Sequence, residues 1–108
     1  MDETNTAISS PWKVFLSKKA EKQLTKLPED MYLAVAALRL ELKLEGPIQA
    51  EWQNYGKLKG KRGEYHHCHL NKGRPRYVAV WEVTDNNIKL IEIVFVGPHG
   101  SVNYSLFR

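Results

Sequence analysis

AVAALRLELKLE, residues 34–45, decides the fold. Its second part, LRLELKLE (38–45), alternates apolar and charged residues at a period of two, which taken alone suits a strand. AVAAL precedes it, however, and Leu, Arg, Glu and Lys all favour helix. The segment therefore predicts a helix from about Glu29 to Leu44, stopped by Gly46 and Pro47. Just upstream, Ala20, Leu24 and Leu27 recur at helical spacing behind Ser17, whose hydroxyl can accept from the exposed amides of a first turn. Pro28 ends this earlier helix at about Leu27 and is tolerated in the first turn of the next. Two consecutive helices with a proline joint make an α-hairpin.

Strands flank the hairpin. In WKVFLS (12–17), Trp12, Val14 and Leu16 alternate with Lys13, Phe15 and Ser17, a short strand at or near a sheet edge. Residues 48–63 carry glycines and lysines without a sustained period and read as a loop with at most a short strand. EYHHCHL (64–70), RYVAVWEV (76–83) and IKLIEIVFV (88–96) then follow, separated by NKGRP and TDNN, turns that suit antiparallel hairpins. The order β-α-α-β-β-β predicts an α+β fold, a small antiparallel-rich twisted sheet with an α-hairpin packed on one face. Residues 1–10 read as a flexible tail and 11–108 as a single domain.

The 108 residues suffice for one domain, and 43% hydrophobic with 26% charged residues argue against a disordered or fibrous chain. The net charge of +4 leans toward a polyanionic partner. The single cysteine, Cys68, excludes an internal disulfide and fits a reducing cytoplasm. No apolar run approaches the roughly 20 residues of a membrane span, and the acidic, polar MDETNTAISS is not expected to be a secretory signal.

Three of the four histidines fall within four positions, His66, His67 and His69, and the fourth is His99 in a Gly-Pro-His-Gly turn. Strand alternation puts His66 with Cys68 and Leu70, and His67 and His69 together on the opposite face. A meander of three strands brings the His99 turn within reach of that face. Imidazoles converging on a basic surface suit cleavage of an RNA phosphodiester: a neutral ring removes the 2′-hydroxyl proton and an imidazolium protonates the 5′-oxygen. Arg76 shares the parity of Val78 and Val80 and is placed to stabilise phosphoryl charge. Tyr104 is a candidate to stack on a base or orient the phosphate. GKLKGKRG (56–63) offers Lys57, Lys59, Lys61 and Arg62 as a phosphate-contacting rim. His66 reads as an ordinary half-buried residue. Zinc is the competing use of His and Cys, but alternation separates Cys68 from His67 and His69, and no HxxxH or CxxC spacing occurs. Neither metal nor other cofactor is expected.

These residues carry a resemblance. FLSKKAEKQLTKLP (15–28), NYGKLKGKRGEYHHCHL (54–70) and RYVAVWEVTDNNIKLIEIVFVGPHGSVNY (76–104) are similar to the RelE/ParE superfamily of toxins from bacterial type II toxin–antitoxin systems. The resemblance implies the sheet and α-hairpin already read, and a ribosome-dependent mRNA endonuclease that acts in the A site without metal. His67 and His69 match positions held by basic residues in the lysine-using branch. In the histidine-using, YafQ-like branch His69 and His99 match catalytic histidines, Arg76 falls near a catalytic arginine or aspartate, and Tyr104 resembles a C-terminal aromatic that contacts substrate. The resemblance also implies a neutralising antitoxin, in a complex that binds operator DNA. ParE-like relatives share the fold, lack this polar set and poison DNA gyrase; the alternative function is such a gyrase poison or a non-catalytic binding module of the same fold.

Overall fold

The computed structural model describes residues 11–59 and 62–104. The expected tail 1–10 lies outside them. The first strand, β1 (Lys13–Leu16), leads through Ser17 into α1 (Lys18–Leu24). Ser17 keeps an extended backbone and its hydroxyl accepts from the Ala20 amide at 3.0 Å, the expected N-cap. The helix stops at Leu24, three residues earlier than expected. The Thr25 hydroxyl donates to the Lys22 carbonyl at 2.7 Å, and Leu27 immediately precedes Pro28, a position at which the α region is disfavoured. Pro28 itself caps α2 (Glu29–Glu45) rather than lying within its first turn. The LRLELKLE segment is helical: Leu38 and Leu42 are fully buried, while Leu40 and Leu44 face outward. Gly46 closes α2 at φ 92°, where a side chain is strained and a Cβ would lie 2.8 Å from the Trp12 indole nitrogen.

The expected three-strand meander, β3 (Glu64–His69), β4 (Tyr77–Asp85) and β5 (Leu90–Pro98), gains a short strand at its start, β2 (Gly56–Leu58). The sheet runs β1-β5-β4-β3-β2, antiparallel except for the parallel β1–β5 pair, so β1 is an edge. The helices cover one face, burying Val14, Val35, Leu38 and Leu42 against Cys68, Ala79, Trp81 and Ile93. Burial of apolar area on this scale is the main stabilising term. The Gln23 side-chain oxygen accepts from the Val96 amide at 3.0 Å and ties α1 to β5. A smaller cluster, Tyr65, Val78, Val80 and Phe95, lies on the other face with Leu58, Val102 and Tyr104 packed against it. Phe95 belongs there because a bulge between Val80 and Trp81 leaves one residue of β5 unpaired: Val80 pairs with Phe95 but Trp81 with Ile93. Ile91, Ile93 and Val96 then face the helices.

Candidate active site

His66, Cys68 and Leu70 point to the helices, and Tyr65, His67 and His69 to the other face, because each successive strand residue reverses side. His66 is 1% exposed and fully engaged. The Tyr55 hydroxyl donates to its Nδ1 at 2.7 Å, its Nε2 donates to Glu64 at 2.9 Å, and its ring stacks on Trp81. Those bonds suit a neutral ring, and burial is the main cause lowering its pKa. Burial pushes the Cys68 thiol up to about 12, so it is inert.

The site lies at the end of β3 where the turn between β3 and β4 meets the turn after β5. His69, Arg74, Pro75, Arg76 and His99 line an open hollow of about 330 Å³. The His69 and His99 rings meet edge to face with centroids 5.6 Å apart. His99 is held by its own amide, which donates to the Arg76 carbonyl at 2.7 Å. Arg76 precedes β4 by one residue. Its Nε and Nη2 donate to the carbonyls of Gly73 (3.3 Å) and Lys72 (3.2 Å), and its Nη1 lies 3.2 Å from His69 Nδ1. A guanidinium can only donate, so this bond requires a lone pair on Nδ1 and leaves the imidazole proton on Nε2. Burial first, then the charge of Arg76 and of His99, lowers the His69 pKa.

Other expected residues fall elsewhere. His67 shares the face of His69 but does not line the hollow. Its ring meets Tyr104 edge to face at 6.2 Å, its buried Nδ1 has no hydrogen-bond partner among the described residues, and a Cβ on Gly56 would come within 3.2 Å of its Nε2. Its pKa is lowered by burial and by the neighbouring histidines. Tyr104 is half-buried against the smaller core cluster rather than open for stacking. Lys57 pairs with His66 in the β2–β3 ladder and, like it, lies on the helix side. The loop holding Lys59 and Arg62 enters β3 at Glu64, five residues and about 17 Å from His69 at strand spacing. Lys61 lies outside the described residues. The cation that joins Arg76 is instead Arg74, which sequence reasoning passed over. Its signal is the first arginine of NKGRPR (71–76), two residues before Arg76.

These shifts predict how stability depends on pH. His66, His67 and His69 bind protons less readily in the native state than the ordinary value of 6.5. In the unfolded chain they titrate near that value, so below it the unfolded state takes up protons that the native state refuses. Stability from this source is complete above about pH 6.5 and is lost as pH falls toward the lower folded values. The urea midpoint should drop steadily between pH 7 and pH 5; a midpoint that rises on acidification would contradict the assignment.

Comparison of the sequence with protein-family models gives no match, and comparison with curated proteins gives none either. Solved structures do resemble it. A chain of the archaeal RelE–RelB complex from Pyrococcus horikoshii OT3 is 22% identical with a TM-score of 0.67, over 85% of this chain and 99% of that one. An arginine-substituted mutant of the E. coli toxin RelE in the free state is 17% identical with a TM-score of 0.63, over 91% and 94% of the two chains. The chain has the RelE fold. No helix among the described residues is long and apolar enough to cross a membrane.

Proposed function

We propose that this chain, built on the RelE fold, is the toxin of a type II toxin–antitoxin pair that cuts messenger RNA in the ribosomal A site by metal-independent acid–base chemistry. The observation that carries the proposal is the His69–His99 ring pair with Arg76 bonded to His69 Nδ1, at an open cationic hollow. The 2′-oxygen attacks phosphorus while the 5′-oxygen leaves, which produces a 2′,3′-cyclic phosphate and a 5′-hydroxyl. His69, held neutral by burial and by Arg76, takes the 2′-hydroxyl proton. A phosphate oxygen that draws Nη1 toward itself frees the Nδ1 lone pair at that moment, coupling substrate binding to the base. His99, the more exposed ring, gives a proton to the departing oxygen as an imidazolium. Arg76 and Arg74 face the charge that builds on the phosphoryl oxygens.

The exposed lysines of the first helical region, Lys18, Lys19, Lys22 and Lys26, suit a ribosomal RNA surface more than a grip on the scissile strand. The neighbour solved as a RelE–RelB complex supports a protein antitoxin as the partner of this chain. Brief expression of the chain without such a partner should produce RNA fragments with 5′-hydroxyl and cyclic-phosphate ends inside coding sequences. DNA breaks with intact RNA would instead favour gyrase poisoning and overturn the proposal.

A further inference from the structure

Along α2 the residues Glu29, Tyr32, Ala36, Leu40 and Lys43 are spaced by three, four, four and three, an order that reads the same in both directions from Ala36. At about 100° per residue all five lie within roughly 40° of the Ala36 direction, so they form one straight stripe about 21 Å long. We infer that this stripe receives a second copy of the chain, whose own α2 packs across it antiparallel. The inference does not depend on the ribonuclease reading, because no residue of the histidine hollow takes part.

The stripe is separate from the core face of the helix, which carries Met31, Val35, Leu38 and Leu42. Tyr32 is 49% and Leu40 56% exposed, and Ala36 between them is exposed as well. Half-buried Leu16 and Leu24 complete a groove of about 170 Å³ beside these three residues. Large apolar side chains grouped in this way at a surface mark a contact. The small side chain of Ala36 at the centre allows two helices to approach closely, and Tyr32 of each copy then falls over Leu40 of the other.

Charge points to a second copy rather than to some other apolar partner. Arg39 and Lys43 line the groove one turn apart, and neither pairs with a carboxylate among the described residues. The Arg39 Nη2 donates to the Val14 carbonyl at 3.3 Å, but its buried Nε has no hydrogen-bond partner there. Like charges at this spacing repel each other. Glu41 and Glu45, the acids near that end of α2, lie more than about 130° round the helix from Ala36 and do not neutralise it. Glu41 instead accepts from the Trp52 indole N–H at 2.8 Å, on the side where Trp52 and His69 line a common hollow. The opposite end of the stripe is Glu29. In a two-fold antiparallel pair Glu29 of each copy meets Lys43 of the other, so the same opposite-charge contact forms twice.

The test is sedimentation equilibrium of the purified full chain from the low micromolar to the sub-millimolar range. The mass should rise from one chain to two across it. Leu40→Glu, on the stripe, should weaken the dimer by about tenfold or more. Ile48→Glu, on an equally exposed apolar residue in the loop after α2, should leave it unchanged. Glu29→Lys and Lys43→Glu should each weaken self-association about tenfold, since each sets like charges together at both contacts. Mixed in equal amounts, the two variants should pair as tightly as the wild type, because ammonium again meets carboxylate at both contacts. A wild-type mass of one chain at every concentration, which leaves the stripe to a different protein, overturns the inference. So does a failure of the two charge variants to pair when mixed, even if Leu40→Glu does not fold, and so does an equal loss in Ile48→Glu. None of these results bears on RNA cutting, so the two readings fail separately.

Discussion

Replacing His99 by alanine is expected to lower RNA cleavage by roughly 10²–10⁴-fold while the chain still folds, and His69→Ala is expected to do the same. Each ring supplies one proton transfer in a step that needs two. His99 is exposed and its amide, not its ring, makes the bond to the Arg76 carbonyl, so truncation leaves that anchor in place. The expected change in stability is therefore within about 0.5 kcal/mol. The double variant should fall little below the worse single one, because an acid and a base that serve one transition state fail together. His66→Ala provides the contrast. It removes a ring that accepts from Tyr55, donates to Glu64 and stacks on Trp81, so it should lower the melting temperature and leave the chemistry of the folded fraction unchanged. Purified variants, compared by thermal unfolding and by RNA cleavage at equal folded concentration, separate the two behaviours. Wild-type cleavage by His99→Ala would mean that the ring pair is not the catalytic centre.

Much of this arrangement is legible in the sequence because strand parity is a strict rule. Once Cys68 and Leu70 are assigned to the core, His67 and His69 have to share the opposite face, and Arg76 follows from Val78 and Val80. LRLELKLE is helical as its composition predicts, since propensity and context outweigh a period of two. What the sequence hides depends on where chain segments end up in three dimensions. The lysine-rich loop is next to the histidine strand in sequence but enters at Glu64, and the strand carries His69 to its far end. His67 and His69 share a face, yet of the two only His69 lines the hollow; the His67 ring packs edge to face on Tyr104 in the space that Gly56, without a side chain, leaves open. The bulge that shifts Phe95 away from the side of Ile91 and Ile93 leaves no mark beyond the apolar run VFV. Glu41 and Trp52 come from segments that read only as helix and loop, and nothing local in the sequence brings them beside His69.

Arg76→Ala is expected to lower cleavage by roughly 10²–10³-fold and to move the acid limb of the pH–rate profile upward. The first effect follows from losing the guanidinium that faces the phosphoryl oxygens, held in aim by the Gly73 and Lys72 carbonyls. The second is a matter of sign. His69 acts as a base only when neutral, and the Arg76 charge helps to keep its proton off, after burial, which is the larger cause. Removing that charge raises the His69 pKa toward the ordinary 6.5, so activity is lost at a higher pH as the solution is acidified. Arg76→Lys keeps a positive charge but gives up the planar fork that bridges two carbonyls and an imidazole. It should restore most of the limb's position and little of the rate. Following the His69 ring proton by NMR across the same pH range checks the shift without turnover. A merely structural arginine would lower the rate of both variants and leave the His69 titration where it was, so an unmoved titration in Arg76→Ala would remove Arg76 from the proposed mechanism.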